Sequence, residues 1–452
     1  MDKIKKVANP NKLPVGKFLA FRAGGFAMSS NYIVMGFVAI YCTDFLKMSP
    51  VLVGTILLIS KIFDAFGELF CGYIVDNAKL SKFGKARKFD LFLIGQWGCT
   101  ILLFSVPETL SMPFKIAYVF IFYMLVQSVF QSIVQAANQP RLMYGFANKN
   151  VIMKVQSYGG VVSMVLSIAF NMIFPNLMKS MATSGIGWTR LMLIVGIPIC
   201  LLGLTRFFIV KEEYLPETKT HEERIKFKEI INVLAQNKYI WIVAGIGLLM
   251  QTAVGLGANT YFFKYVIGDL GKLGIVSMIS IVLLPIMFVV PTLVKKFSVS
   301  ALIAVGGFIG VAGGILAFLA NNNMTIVLSA ALLTSLAVIA PPYMSAVMIS
   351  DCSVYNRYKG NKGMEATLAA VTQFGGNLGV GIGGLIAGIV LEISGYNGKM
   401  QVQSSSALIG IRALYGLVPA LFYLLMALLA LAYNIEKKIP EMEAEISTRQ
   451  AA

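Results

Sequence analysis

Twelve long apolar runs divide the sequence, and a chain with this pattern folds as a bundle of membrane-spanning helices. A helix needs about 20 apolar residues to cross the hydrocarbon core of a bilayer. Each run is about that length or longer, and we number the runs as spans 1 to 12. They lie at 18–46, 51–75, 91–108, 114–140, 155–178, 189–210, 238–267, 273–294, 299–320, 324–350, 366–394 and 407–434. We therefore predict an all-α membrane protein with twelve transmembrane helices.

Composition supports this fold class and excludes others. Only 13% of the 452 residues are charged, whereas soluble domains average about 25%. A chain with so little charge cannot present a polar surface to water on all sides, which excludes a soluble globular enzyme. The five cysteines are scattered without a Cys-x-x-Cys pair, and His221 is the one histidine in the sequence. A zinc site or a Cys–His nucleophile pair has almost no residues to be built from, so we expect no enzyme activity and no organic cofactor.

A charged segment at 211–237 separates six spans from six spans. We predict an N-terminal six-helix bundle at 1–210, a cytoplasmic linker at 211–237, a C-terminal six-helix bundle at 238–434 and a cytoplasmic tail at 435–452. This layout is typical of the major facilitator fold, whose two halves are related by a pseudo-two-fold axis along the membrane normal. Four apolar linker residues share one helix face, which predicts a short amphipathic helix, with a plain solvated linker as the alternative. They are Phe227, Ile230, Ile231 and Leu234.

Basic residues follow the even-numbered spans, and this sets the predicted orientation. The loop after span 2 holds five of them, whereas each loop after an odd-numbered span holds at most two. Because Lys and Arg are retained on the cytoplasmic side, we predict a multi-pass plasma membrane protein (inner membrane in a bacterium) with both termini in the cytoplasm. The formal net charge of +17 then needs no nucleic-acid partner. The five loop residues are Lys79, Lys82, Lys85, Arg87 and Lys88.

Span 2 carries three ionisable residues inside its apolar run. Lys61, Asp64 and Glu68 lie at i, i+3 and i+7, so they share one helix face. Charged groups at membrane depth are costly and mark functional sites. Two carboxylates one turn apart either hold a monovalent cation or share a proton, with Lys61 balancing part of their charge. The alternative is a structural ion pair that faces the bundle interior.

Span 4 carries amide side chains at helical spacing. Lipid cannot satisfy amides, so the stripe is predicted to face the protein interior. Amides both donate and accept, which suits sugar hydroxyl groups, and they also join neighbouring helices, so both roles stay open. The stripe consists of Gln127, Gln131, Gln135 and Asn138, with Ser132 beside it. In span 1, Arg22 and Asn31 are weaker candidates for contact with a substrate.

Short motifs near the span ends give the chain a resemblance to one family. The motifs occur in this order: Tyr41–Asp44 ending span 1, Val53–Thr55 opening span 2, Asp64 with Glu68, Asp76 with Lys82–Lys85 in the next loop, Tyr265–Asp269 ending span 7 and Ser394–Tyr396 ending span 11. In this order they resemble the glycoside–pentoside–hexuronide:cation symporter family, through nearly all twelve spans. The resemblance implies a major facilitator fold and cation-driven sugar uptake.

The resemblance also implies a cation site. The family has two carboxylates one turn apart on span 2 with an amide between them. Asp64 and Glu68 match the two carboxylates, Gly67 replaces the amide, and Lys61 matches a basic residue just upstream. On span 11 the matching positions hold Thr372 or Gln373 in place of a family threonine, and Asn377 in place of a family lysine.

The family's sugar site matches this chain less well. Its span 1 acid falls near Gly24 or Met28 and its span 4 acid at Ser132, so neither acid is present. Its arginine at the start of span 5 falls near Gly159. The missing acids argue against a simple galactoside and favour an aryl glycoside, a steroid-like conjugate or another amphiphile.

These features predict a monomeric secondary transporter that is surrounded by membrane lipids and works by alternating access. The coupling ion is expected to be Na⁺ rather than H⁺, bound by Asp64 and Glu68 with Thr372 or Gln373. Asp76, Lys85 and Arg87 are expected to act in gating. The residues expected to bind a glycoside or a related polar or amphipathic solute are Arg22, Asn31, Gln127, Gln131, Ser132, Gln135 and Asn377. The alternative is an uncoupled or proton-coupled carrier of a steroid-like or lipid-like amphiphile with the same fold.

Overall fold

The computed structural model describes residues 14–76, 78–146, 149–213, 234–279, 296–361 and 363–451, together with residues 282 and 293. Most of the predicted linker helix and most of span 8 fall outside these residues. Within the described part, helices occupy the other eleven predicted spans. The helical content agrees with the predicted all-α membrane fold.

Spans 1 to 6 consist of α-helices with two π-helical segments and one 3₁₀ turn. Their bounds are Val15–Met35, Val38–Ile40 and π-helical Tyr41–Phe45 in span 1; Pro50–Asp76 in span 2; 3₁₀ Arg87–Leu91 and Phe92–Leu103 in span 3; Met112–Met124, π-helical Leu125–Gln131 and Ser132–Gly145 in span 4; Lys149–Met181 in span 5; and Gly185–Ile209 in span 6. Span 3 ends five residues before its predicted limit, because Pro107 disfavours helical backbone at Val106.

Spans 7 to 12 follow the same plan, and span 7 is interrupted near its end. Their bounds are Lys238–Gly255, Ala258–Tyr261 and π-helical Phe262–Val266 in span 7; Leu273–Ser277 at the start of span 8; Val299–Leu319 in span 9; Met324–Tyr358 in span 10; Glu365–Ile393 in span 11; and Ser405–Tyr415 and Leu417–Leu431 in span 12, with a further helix Ile439–Ala451 after it. Gly257 has φ +60° between the first two pieces of span 7, a conformation that glycine adopts without strain.

Polar residues cap the start of several spans. Ser184, Ser298 and Ser404 each accept a hydrogen bond from the backbone N–H three residues later. Asn237 and Asn323 accept from the backbone N–H groups two and three residues later. These caps satisfy amide groups that have no partner inside the helix, and their short polar side chains explain where the apolar runs turn into helices.

Eight of the described helices are long and apolar enough to cross a membrane by length and composition, and the apolar part of span 10, Met324–Val338, is shorter. The span 2 helix, Pro50–Asp76, has 27 residues. At 1.5 Å per residue it is about 40 Å long, which exceeds the thickness of a bilayer core. The helix also carries the ionisable residues Lys61, Asp64 and Glu68.

Contacts group the chain into two compact units. The first unit consists of Met1–Tyr41 and Phe66–His221, and the second of Cys42–Ala65 and Glu222–Ala452. The first part of the span 2 helix therefore packs with the C-terminal half of the chain. The predicted domain boundaries, at 210 and 238, instead place the whole of span 2 in the N-terminal bundle.

Glycine permits this packing of span 2 in the second unit. A Cβ on Gly54 would lie 2.6 Å from the carbonyl oxygen of Gly384 and 2.9 Å from the Cα of Leu385 in span 11. A Cβ on Gly388 would collide with the carbonyl oxygen of Pro50. Glycines allow helices to approach this closely in a membrane, where contact between helices depends on tight packing.

Candidate functional site

Asp64 and Lys61 form a buried ion pair on the span 2 helix. Lys61 Nζ lies 2.6 Å from Asp64 Oδ2, and their side chains are 12% and 6% exposed. The i, i+3 spacing brings the two groups together within one helical turn. Asp64 therefore faces protein and not lipid. Glu68 lies one turn further along the same helix, and its side chain is outside the described residues.

Span 11 contacts this helix on the Lys61 side. A Cβ on Gly381 would lie 3.0 Å from Lys61 Cβ and 3.1 Å from Leu58 Cα. Asn377 precedes Gly381 by four residues, so it lies one turn away on the same helix face. The Asn377 side chain is half-buried, and its amide nitrogen has no hydrogen-bond partner among the described residues. An unsatisfied amide on this face is available to a bound solute.

Thr372 and Gln373 differ in the direction of their side chains. Thr372 Oγ1 donates to the carbonyl of Leu368 at 3.1 Å, and its methyl group lies beside Gly247 of span 7. Gln373 is exposed and precedes Asn377 by four residues, so it shares the helix face of Asn377. Of the two alternatives for the family threonine, the geometry favours Gln373.

The amides of span 4 do not follow regular α-helical spacing throughout, and their contact with a solute stays a prediction. The Leu125–Gln131 segment is π-helical, and the wider turn rotates later residues away from the face that a regular α-helix would give them. Gln127 is buried, Gln131 is half-buried and Gln135 is exposed. Ser132 is buried and donates to the carbonyl of Gln127 at 3.1 Å.

Polar side chains of spans 1, 3 and 4 form a buried network in the first unit. Asn31 Nδ2 donates to Thr100 Oγ1 at 2.8 Å, and Gln96 Nε2 donates to Asn31 Oδ1 at 3.2 Å. Gln96 Nε2 also donates to Gln131 Oε1. The network satisfies amides that lipid could not, which favours a packing role for Asn31 and Gln131. Sequence reasoning does not single out Gln96 and Thr100, although a glutamine inside an apolar run is a usable signal.

Asp90 is the centre of a buried charge cluster in the first unit that sequence reasoning misses. Its Oδ2 lies 3.0 Å from Arg141 Nε and its Oδ1 lies 2.7 Å from Arg206 Nη2, with all three side chains fully buried. Arg141 Nη2 donates to the carbonyl of Val210 at 2.7 Å, and Arg206 Nη1 donates to Asn138 Oδ1 at 2.9 Å. The usable signal is the position of these charges at the ends of spans 3, 4 and 6.

Glu212 holds the loop that contains the predicted gating residues. Its carboxylate accepts hydrogen bonds from the backbone N–H groups of Lys85, Ala86 and Arg87. Arg87 Nε also donates to the carbonyl of Phe207 at 2.6 Å. Lys85 and Arg87 are thus positioned through the backbone by one acid. The side chain of Asp76 lies outside the described residues.

Three of the family motifs meet at Asp44 in the second unit. The Asp44 carboxylate accepts hydrogen bonds from the hydroxyl groups of Tyr265 and Tyr396 and pairs with the ammonium group of Lys264. Burial lowers the pKa of nearby Lys47, while Asp44 opposes that shift. Asp44, Tyr265 and Tyr396 belong to three separate motifs in the sequence, and the tertiary structure brings them together.

Arg22 lies where span 1 contacts span 5. A Cβ on Gly159 would collide with its guanidinium carbon, so the guanidinium group covers this glycine. The same carbon lies 5.2 Å from the ring centroid of Phe21. The Nε atom is buried and has no hydrogen-bond partner among the described residues.

Two known transporters resemble the chain along most of its length. The isoprimeverose transporter of Lactiplantibacillus pentosus is 23% identical and covers 98% of this chain and 94% of its own length. The glucuronide carrier protein homolog of Escherichia coli strain K12 is 24% identical and covers 96% of this chain and 95% of its own length. The crystal structure of a D-xylose-proton symporter has a TM-score of 0.63 at 13% identity, covering 93% of this chain and 97% of that one, which supports the fold alone.

The sequence profile of the MFS/sugar transport protein family matches residues 21–437. These residues run from the start of span 1 to just beyond span 12. The match confirms the resemblance drawn from the motifs, and the relatives confirm the prediction of a transporter and not an enzyme. The chain therefore belongs to the MFS/sugar transport protein family and is a multi-pass membrane transporter of the major facilitator fold.

Proposed function

We propose that this protein is a symporter that uses a Na⁺ gradient to take up a glycoside or a related solute by alternating access. Both termini then lie on the cytoplasmic side of the plasma membrane. The observation that carries the proposal is the buried carboxylate of Asp64 on a membrane-spanning helix, one turn from Glu68. Carboxylates at this depth are costly and are retained where they serve ion or proton movement.

Lys61 supplies the positive charge that Asp64 needs when no ion is bound. A lysine ammonium on a four-carbon stem can leave a carboxylate without moving the backbone. Na⁺ prefers oxygen ligands, and we propose that Asp64, Glu68 and the side-chain oxygen of Gln373 or Thr372 provide them. Exchange of Lys61 for Na⁺ keeps Asp64 neutralised at every stage.

Coupling follows when substrate and ion favour the same state of the protein. If Na⁺ raises the affinity for the solute, the solute raises the affinity for Na⁺ by the same factor. The names of the relatives, an isoprimeverose transporter and a glucuronide carrier protein homolog, support a sugar derivative as the solute. We propose Asn377, whose amide nitrogen is unsatisfied, and Gln135, whose side chain is exposed, as separate candidates for contact with the solute.

The test replaces Asp64 by Asn in proteoliposomes loaded with the purified carrier. A panel of glycosides and glycosiduronates is first screened by thermal shift with and without Na⁺ to choose the transported solute. Asp64→Asn and Glu68→Gln should abolish uptake driven by an inward Na⁺ gradient while the protein stays folded. Glu108→Gln, an exposed acid changed in the same way, should behave as the wild type. Unchanged Na⁺ stimulation in Asp64→Asn would refute the proposal.

The Lys61–Asp64 ion pair also favours a second candidate, an uncoupled or proton-coupled carrier of a steroid-like or lipid-like amphiphile. A lysine that never leaves Asp64 would make the pair structural. The same proteoliposomes distinguish the two candidates, because this carrier would show uptake that is independent of Na⁺, and proton coupling would show as a dependence on an imposed pH gradient.

A further inference from the structure

Arg22 is half-buried and differs from the buried Arg141 and Arg206 of the first unit in having no acid paired with it among the described residues. It lies seven residues after the start of the Val15–Met35 helix, about 10 Å along the axis. Arg141 and Arg206 both lie against Asp90 at ion-pair distance. Among the described residues, no carboxylate forms an ion pair with Arg22, and its Nε atom has no hydrogen-bond partner. A half-buried guanidinium group without a carboxylate partner creates a positive potential that attracts an anion.

The sequence explains why no nearby acid can fill this role. No Asp or Glu occurs between Asp2 and Asp44, and none occurs between Glu108 and Glu212. Spans 4, 5 and 6 therefore contain no acid, and span 1 contains one only at its far end. Asp90 at the start of span 3 is already paired with Arg141 and Arg206, and spans 4, 5 and 6 supply no other acid for Arg22.

The contacts of Arg22 leave room for a ligand. Its guanidinium group covers Gly159 of span 5, where any side chain would collide with it. Gly25 follows one turn later on span 1, and no described atom lies within 4 Å of the position that its Cβ would take. Gly24 packs directly on the Arg206 side chain, which is itself paired with Asp90, so Arg22 is the guanidinium group here that has no recorded acid partner among the described residues.

We propose that Arg22 binds an anionic group of the transported sugar, so that the substrate is a sugar acid and not a neutral glycoside. A guanidinium group presents parallel N–H donors that match a carboxylate or a sulfonate in two hydrogen bonds. The substrate then supplies the negative charge that the helices around Arg22 lack. This inference rests on the proposed sugar transport and adds the chemical class of the substrate.

Arg22 lies close to the position where the family carries an arginine on span 5. The family arginine expected at the start of span 5 is absent, and Gly159 stands near its place. Arg22 brings a guanidinium group to the same spot from span 1. If only the charge at this spot matters, an arginine at 159 should replace one at 22.

The experiment measures binding of matched solutes by equilibrium dialysis at fixed Na⁺. The probes are 4-nitrophenyl glucuronide, its 6-sulfonate counterpart and 4-nitrophenyl glucoside, which differ in the group on C6 of the sugar. The wild type should prefer at least one anion to the neutral glucoside, and the stronger anion identifies carboxylate or sulfonate. Arg22→Gln should lower this preference roughly 10- to 100-fold, the range expected for a charge-assisted pair of hydrogen bonds. Arg190→Gln, an exposed arginine of the same unit, should leave it unchanged.

A swap separates recognition from structure. Arg22→Gly combined with Gly159→Arg should regain the anion preference that Arg22→Gln loses. A purely structural arginine would change the unfolding temperature and leave the ratio of anion to neutral affinity as in the wild type, which would overturn the inference. Equal binding of the three probes by the wild type, or binding of neither anion, would also overturn it. If anion preference depends on Arg22 but not on Na⁺, the inference holds and the proposed Na⁺ coupling fails.

Discussion

The Asp90 cluster of the first unit and the Asp64 pair of the second unit are both buried charges in a membrane protein, yet they are built differently. Asp90 is held by two guanidinium groups from other spans, and Arg141 also donates to backbone carbonyls. Asp64 pairs with an ammonium group three residues earlier on its own helix. A guanidinium fork is rigid, whereas a lysine side chain is flexible. Burial alone therefore does not define the role of a charge, because the partner group determines whether that charge is held permanently or can be exchanged.

The largest effect is expected for Asp90→Ala. Removing one partner of a buried ion pair costs about 3–5 kcal/mol, because Arg141 and Arg206 would stay buried without their acid. We expect little folded protein and a strongly lowered unfolding temperature, measured by tryptophan fluorescence in detergent. Glu213→Gln removes the exposed partner of Lys17 and should leave the unfolding temperature unchanged. An Asp90→Ala protein as stable as the wild type would remove the contrast between the two regions.

A smaller effect is expected for Lys61→Gln, which tests whether this lysine is exchangeable. Without the competing ammonium group, Na⁺ should bind more tightly, and half-saturation should occur at a roughly tenfold lower concentration, a typical size for such coupling. The measurement is a Na⁺ titration of the unfolding temperature. Lys211→Gln, an exposed lysine, is the matched control. Weaker Na⁺ binding in Lys61→Gln would show that the lysine belongs to the site as a fixed part.

The smallest effects distinguish two amides of span 4. Gln131 accepts from Gln96, so Gln131→Ala should lower the free energy of unfolding by about 1 kcal/mol and leave solute affinity unchanged. Gln135 is exposed, so Gln135→Ala should leave stability unchanged and weaken solute binding several-fold. Thermal unfolding and equilibrium dialysis on the same samples give both quantities. The reverse pattern would assign packing to Gln135 and solute contact to Gln131.

Part of the candidate site can be predicted from the sequence, and the rest cannot. The i, i+3 spacing of Lys61 and Asp64 is enough to place the pair on one face, because a regular helix relates nearby residues by simple rotation. The same reasoning fails in span 4, where the π-helical Leu125–Gln131 changes that rotation. No local sequence pattern predicts this π-helical segment, because it depends on how the neighbouring helices pack.

Contacts between residues that are distant in the sequence cannot be predicted from local patterns either, because they also depend on how the helices pack. Asp90 contacts Arg141, which is 51 positions away in the sequence, and Asp44 contacts Tyr396, which is 352 positions away. Motif order identifies Tyr396 as a family residue but not as a partner of Asp44. Such pairings depend on which helices lie next to one another in the fold, and a single sequence does not specify those neighbours.

The membrane environment and the helical class can be read from the amino-acid sequence alone. Those properties depend on the transfer of apolar segments from water to lipid, which each segment undergoes largely on its own. Three-dimensional packing was needed to show that Lys61 pairs with Asp64 beside span 11 and that Asp90 binds two arginines. It was also needed to show that Arg22 covers Gly159 without an acid partner among the described residues. These outcomes depend on close packing between helices, where one glycine or one π-helical turn changes which polar groups meet.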